Sequence, residues 1–97
     1  MKTSELTGAA LDWAVAKAIG EYKPVAVPHY STNWAQGGPI IEREKIDIGT
    51  YRGAWRAAKH VSITPTYATG PTPLIAAMRC LVASKMGDDI EITKELK

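Results

Sequence analysis

The segment that begins at Thr72 constrains the fold most, because it predicts a long helix with both ends marked. Thr72 is a preferred N-cap residue, and Pro73 follows at the first helical position, where its missing N–H is not needed. Gly87 is a typical residue at the end of a helix. Between these ends, apolar residues recur at helical spacing and predict a buried stripe: Leu74, Ile75, Met78, Leu81, Val82 and Met86.

A second helix is predicted near the N-terminus, between a Thr7 cap and Gly20. Its apolar stripe consists of Leu11, Ala14, Val15, Ala18 and Ile19. Two loops rich in turn-forming residues, 28–39 and 63–73, separate short predicted strands. These strands are Val25–Val27, Pro39–Glu44 with Ile46 and Ile48 extending it, Gly53–Ile63 and Asp89–Thr93. We therefore predict an α+β fold: two helices packed on a small, mostly antiparallel sheet, in a single domain over residues 1–97.

The composition indicates a folded chain that is cytoplasmic. Hydrophobic residues make up 45% of the sequence, which is too many for a disordered protein. Cys80 is the only cysteine and lies in the predicted buried stripe, so an intrachain disulfide is excluded and a reducing compartment is favoured. Because neither a secretory signal nor an apolar run of ~18 residues is found, we expect no membrane partner.

The charge is only mildly basic. A formal net charge of +2 does not require nucleic acid as a partner, and we do not expect one. Basic residues concentrate between Arg43 and His60, whereas acidic residues crowd the C-terminus. The basic stretch has two interpretations, the solvated faces of two strands or an anion-binding face.

Residues suited to catalysis or metal binding are few. His29 and His60 have no serine or cysteine at a nucleophile spacing, and no Cys/His cluster has the spacing of a zinc site. Glu42 and Glu44 are not expected to form an acid–base pair. We predict no catalytic residue, no metal and no cofactor. Hydrolysis would require Glu42 or Asp12 to meet a bound phosphate.

The loop STNWAQGGP carries more hydrogen-bonding groups than a turn needs. Its tryptophan offers a stacking surface, its glutamine offers an amide, and its two glycines let the backbone approach a ligand. The alternative is a tight turn whose tryptophan fills the core. The candidate ligand-binding residues in and beside this loop are Tyr30, Asn33, Trp34, Gln36, Gly37 and Gly38.

The GPTP sequence at the start of the predicted C-terminal helix is the other candidate anion site. The start of a helix exposes backbone N–H groups and the positive end of its dipole, and Thr69, Gly70 and Thr72 lie beside it. A phosphate would bind well there, although the spacing is not that of a P-loop. The alternative is a simple helix cap.

Three stretches together resemble the NinX-like family of small proteins of tailed bacteriophages: MKTSELTGAALDWAVAKA, STNWAQGGPIIERE and GPTPLIAAMRCLVASKMGD. The resemblance covers about the whole chain. It implies a phage origin and a location in the cytoplasm of the bacterial host, and it attaches no activity. Asn33 departs from the family, whose members usually carry an acidic residue there.

Small phage accessory proteins commonly counter host defences, and one physical route is to sequester a nucleotide immune signal. In our first hypothesis the chain binds such a small anionic ligand, a nucleotide or an ADP-ribose-like signal, without degrading it. An aromatic ring stacks on the base, the threonines at the helix start bind the pyrophosphate, and Arg43 or Arg56 supplies positive charge. Because so small a domain does not enclose a nucleotide alone, we expect a homo-oligomer with pockets between subunits.

Two other hypotheses remain. The first is a non-enzymatic inhibitor or recombination accessory that binds a protein or nucleic acid through Trp55 and the basic stretch. It predicts exposed aromatic residues and a salt-sensitive interface in place of a concave pocket. The second is a nucleotide-degrading enzyme, which requires a carboxylate or a histidine beside the phosphate.

Overall fold

The computed structural model describes residues 2–23, 25–60 and 65–89. A short 3-10 turn, Thr3–Glu5, precedes the helices α1 (Gly8–Ala18) and α2 (Trp34–Glu44); the strands β1 (Asp47–Tyr51), β2 (Ala54–His60) and β3 (Pro65–Gly70) follow, and α3 (Pro73–Met86) comes last. The predicted α+β class is confirmed, with three α-helices where two were predicted. None of the described helices is long and apolar enough to cross a membrane.

The sheet is antiparallel and has the strand order β1-β2-β3. A two-residue turn joins β1 to β2, and both its residues, Arg52 and Gly53, have the positive φ angles that a type I′ turn requires. Side chains alternate between the two sides of a strand, so the sheet has two faces. The inner face, which carries Ala57, Ala68 and Gly70, packs against α3; the outer face carries Tyr51, Arg56 and Tyr67.

Helix α3 is the centre of the core and begins as predicted. Thr72 Oγ1 accepts a hydrogen bond from the Ile75 N–H at 3.1 Å, and Pro73 follows at the first position. The predicted stripe is buried at its centre, but Met86 is 38% exposed and lies outside the core. Cys80 is buried as predicted, and this burial raises the pKa of its thiol to about 11.

Helix α1 packs its predicted apolar stripe against α3. Thr7 stands at the N-cap position, but its side chain makes no capping hydrogen bond. Val25–Val27, predicted as a short strand, forms a turn followed by irregular backbone.

The prediction of a loop over 28–39 and a strand over 39–44 is wrong, because α2 occupies residues 34–44. Asn33 Oδ1 accepts a hydrogen bond from the Ala35 N–H at 2.9 Å and so caps the helix. Gly37 and Ile40 are buried one turn apart, which places the packed side of α2 toward the core. Tertiary packing therefore outweighs the poor helix propensity of Gly37, Gly38 and Pro39.

The prediction that no regular structure survives over 63–73 is also wrong. Strand β3 covers residues 65–70, and Pro65 stands at its first position, where a missing N–H is tolerated. The predicted strand Gly53–Ile63 is confirmed as β2 over Ala54–His60. Its predicted last residues, 61–63, lie outside the described residues, as do residues 90–93 of the final predicted strand; Asp89 forms an isolated bridge with Lys2.

Charged and polar contacts tie the layers together. Glu44, at the end of α2, accepts a hydrogen bond from Lys59 of β2 at 2.6 Å and lies 3.3 Å from Lys85 of α3. The hydrogen bond from Lys59 is the main reason why the pKa of Glu44 is lowered. Arg79 of α3 donates to the backbone oxygens of Leu6 and Thr69.

Residues near the two ends of the described chain pair directly. Thr3 donates through its N–H to the Asp88 carbonyl at 2.8 Å and through Oγ1 to the Gly87 carbonyl at 2.7 Å. Thr3 and Leu6 are buried, so this segment is part of the packed structure.

Candidate functional site

Two segments that are far apart in the sequence meet in one small hollow. Its volume is about 220 Å³, and its walls come from the loop before α2 and from the start of α3. We call it the Trp34 hollow; its lining residues are Ser31, Thr32, Trp34, Thr72, Leu74 and Ile75. The candidate residues Trp34 and Thr72, one from each predicted site, therefore lie in the same place.

Trp34 is the aromatic wall of this hollow. It is the first residue of α2 and is 53% exposed, so it does not fill the core. A Cβ atom on Gly38 would lie 3.6 Å from Cε3 of the Trp34 ring, an ordinary van der Waals contact, so the ring lies beside Gly38 along the helix. An indole with one exposed side can stack on a flat ligand.

Ser31 supplies a buried polar group without a partner. The residue is 2% exposed, and its Oγ has no hydrogen-bond partner among the described residues. Its backbone is fixed because the Ser31 N–H donates to Asp12 Oδ1 of α1 at 2.8 Å. A buried hydroxyl without a partner costs about 1–3 kcal/mol. Because the Oγ atom is itself buried, a ligand in the hollow reaches it only if the wall shifts.

Two helices begin at the Trp34 hollow. Trp34 is the first residue of α2, and Leu74 and Ile75 belong to the first turn of α3. The positive ends of both helix dipoles are therefore close to the hollow, and this favours an anion. Side-chain caps at Asn33 and Thr72 already use one N–H of each first turn.

Four of the predicted ligand-binding residues support the walls instead of lining the hollow. Tyr30 is buried, and burial raises the pKa of its phenol. Gln36 Oε1 accepts a hydrogen bond from the His29 N–H at 2.7 Å. Gly37 lies against the Tyr30 carbonyl and the Leu74 side chain, and Gly70 lies against Ala76 of α3, so neither position has room for a Cβ.

The three remaining candidates lie elsewhere. Arg43 is near the end of α2, 3.7 Å from Glu21 and 3.6 Å from Glu44. Arg56 and Thr69 are paired across β2 and β3 on the outer face of the sheet. The lining residues given above for the hollow include no lysine or arginine, so the positive charge there comes from the helix ends.

Ser31 lines the hollow but was not among the predicted ligand-binding residues, and Asp12, considered only for hydrolysis, fixes its backbone. An aspartate inside an apolar helical stripe is a signal in itself, because a buried carboxylate needs a hydrogen-bond donor. Asp12 is 4% exposed and finds that donor in the Ser31 backbone, while its other oxygen lies 3.8 Å from His29 Nδ1.

The comparisons with known proteins identify one family. Residues 2–85 match the family model described as Bacteriophage P22, NinX. The matched range contains every residue that lines the Trp34 hollow. No curated protein matches the chain.

Proposed function

We propose a ligand-binding role for this chain, which belongs to the Bacteriophage P22 NinX family and is a phage accessory protein. In this proposal the Trp34 hollow binds a small anionic ligand of nucleotide type. The observation that carries the proposal is the meeting of Trp34, the hydroxyl of Ser31 and the starts of two helices in one place. The base stacks on Trp34, Ser31 hydrogen-bonds a polar group, and a phosphate lies at the helix ends.

The size of the hollow limits how much of the ligand one chain can cover. Ligand pockets usually have volumes of roughly 300–1,000 Å³, and the Trp34 hollow has about 220 Å³. One chain therefore encloses only part of a nucleotide. We propose that a second copy of the chain covers the remainder, so that the functional unit is a homo-oligomer.

The phage origin suggests the purpose of such binding. A protein that binds a nucleotide signal of the host tightly, without altering it, lowers the free concentration of that signal. None of the candidate site residues that line the hollow has a side chain suited to general acid–base catalysis, which fits sequestration better than turnover.

The test is a thermal-shift measurement with ADP-ribose, AMP, a cyclic dinucleotide and inorganic phosphate. A ligand that binds only the folded state raises the melting temperature by mass action. We expect at least one nucleotide to stabilise the protein and to be recovered unchanged after heat release. Failure of every nucleotide to stabilise the protein, or recovery of a degraded product, would overturn the proposal.

Three variants connect the result to the hollow. Trp34→Ala removes a stacking surface and should weaken binding about tenfold. Ser31→Ala removes a hydroxyl without a partner, so the melting temperature of the free protein should stay unchanged or rise slightly. The same substitution should lower the affinity for the ligand. Trp55→Ala is the control, because Trp55 is another partly exposed tryptophan but does not line the hollow. Equal affinity in Trp34→Ala and the original protein would contradict the site.

A further inference from the structure

The outer face of the sheet carries a second group of exposed aromatic and basic side chains. The guanidinium carbon of Arg56 lies 4.7 Å from the ring centroid of Tyr51 and 4.9 Å from that of Tyr67. Tyr51 is 48% exposed and Tyr67 is 53% exposed. We call these three residues the tyrosine–arginine face.

Among the described residues, only strand residues line the shallow hollow of about 280 Å³ over this side of the sheet. Helix α3 packs against the opposite, inner face. Tyr51 and Tyr67 lie on the two outer strands, with β2 between them. The two tyrosines lie diagonally across β2, and because the Arg56 guanidinium is within about 5 Å of both ring centroids, the rings are no more than about 10 Å apart.

The charge of this face suits an anion that extends beyond one phosphate. Arg52 also lies over Tyr51, with its guanidinium carbon 5.3 Å from the ring centroid. Neither Arg52 nor Arg56 forms an ion pair with a carboxylate among the described residues. Asp47 lines the same hollow as Arg56 and lies 3.5 Å from His60. Both guanidinium groups are therefore available to phosphates.

We infer that the tyrosine–arginine face binds single-stranded nucleic acid. Unpaired bases stack on the two tyrosines, and Arg52 and Arg56 contact the phosphates between them. A flat face without a projecting element does not enter a groove of duplex DNA, so duplexes are weak ligands. This site is independent of the Trp34 hollow and shares no residue with it.

The test is fluorescence anisotropy of the full chain with labelled single-stranded oligo(dT), oligo(rU) and a mixed-sequence duplex of equal length. We expect both single strands to bind more tightly than the duplex, with an affinity that falls steeply as salt is raised. Tyr67→Ala should weaken single-strand binding about tenfold. Arg56→Ala should weaken single-strand binding. It should also reduce the slope of log affinity against log salt concentration by about one, because one phosphate contact is lost.

Matched variants separate this site from the rest of the molecule. Tyr67→Phe keeps the ring and should bind as the original protein does, whereas Tyr67→Leu keeps a large apolar side chain and should lose the stacking. Trp55→Ala changes a residue that is next to Arg56 in the sequence but lies on the inner face. Trp34→Ala changes the Trp34 hollow. Neither substitution should change the affinity for the oligonucleotide. Absence of single-strand binding, equal binding of the duplex, or equal binding by Tyr67→Leu and the original protein would overturn the inference.

Discussion

The two faces of the sheet are built from opposite kinds of residue. The inner face presents Ala57, Ala68 and Gly70 to α3, and the outer face presents Tyr51, Arg56 and Tyr67 to solvent. Large side chains usually contribute most to a core because they bury the most apolar area. Here both tyrosines stand on the outer face, whereas Ile48 and Trp55 are the large apolar side chains on the inner face. At Gly70 the backbone of α3 approaches the sheet closely.

This difference separates the residues needed for stability from those available for binding. At Gly70 on the inner face, an added methyl group meets the backbone of α3. On the outer face, side chains can be exchanged without contact to a second layer among the described residues. The following substitutions test this separation, from the largest expected effect on stability to the smallest.

Gly70→Ala should have the largest effect. A Cβ at this position would lie 2.8 Å from the Ala76 nitrogen and 3.0 Å from Ile75 Cγ2, so α3 has to move. We expect a loss of about 3 kcal/mol in the free energy of unfolding, measured by urea denaturation. The control is Gly49→Ala, because Gly49 faces outward opposite Arg56 and nothing lies within 4 Å of its Cβ position. Similar losses in the two variants would contradict the comparison.

Glu44→Gln should have the next largest effect. Glu44 accepts a hydrogen bond from Lys59, which lies on the same inner face of β2 as Ala57. Both side chains are largely buried. Loss of the charged hydrogen bond should cost about 2 kcal/mol at neutral pH.

The same pair predicts a pH dependence. Because the pKa of Glu44 is lowered in the folded protein, its contribution is present above the ordinary value of 4.5 and is lost as the pH falls through the lowered value. The original protein should therefore lose more stability between neutral and acidic pH than Glu44→Gln does. Parallel stability curves for the two proteins would contradict this assignment.

Thr72→Ala should cost about 1 kcal/mol, because it removes the side-chain cap of α3. Thr69→Ala, three residues earlier on the outer face, is the matched control and should change stability by less than about 0.5 kcal/mol. Thermal unfolding of both variants checks the difference, and an equal loss at the two positions would mean that the cap contributes nothing specific.

Arg56→Ala should have the smallest effect on stability. The exposed stacking of its guanidinium on two tyrosines contributes about 0.5 kcal/mol. The variant should therefore remain folded, as judged by circular dichroism and chemical denaturation. A loss as large as that of Gly70→Ala would show that the outer face is structural.

The sequence predicted the elements whose ends carry strong local signals. The cap at Thr72, Pro73 and the final Gly87 marked α3, and the apolar stripe marked α1. Strand β2 was found from its apolar and β-forming residues, without help from the rest of the fold.

Helix α2 could not be recognised from the same kind of signal, because its local residues contradict its structure. Two glycines and Pro39 predict a loop, yet Gly37 is required where α2 crosses the Tyr30 carbonyl. The information that decides the structure at this point is a contact with a distant segment. The Asn33 cap and the helical spacing of Gly37, Ile40 and Ile41 were the signals that could have revealed it.

The candidate site was predicted in part for the same reason. Trp34 and Thr72 were both chosen from the sequence, and their meeting depends on α2 being a helix. The polar residues around them were expected to face a ligand, but Gln36 and Tyr30 are used within the structure. The number of hydrogen-bonding groups in a loop does not reveal which of them form hydrogen bonds within the protein or are buried in it.

The pairing of Thr3 with Gly87 and Asp88 also sets an order of events during synthesis. These partners are 84 residues or more apart, and Arg79 fixes Leu6 from the same late helix. Thr3 and Leu6 therefore lack these partners until Arg79 and the residues up to Asp88 have been synthesised. Until then, Leu6 has no core to enter, and the growing chain exposes it to any chaperone or protease nearby. Packing of the segment that carries Thr3 and Leu6 thus waits for the synthesis of α3.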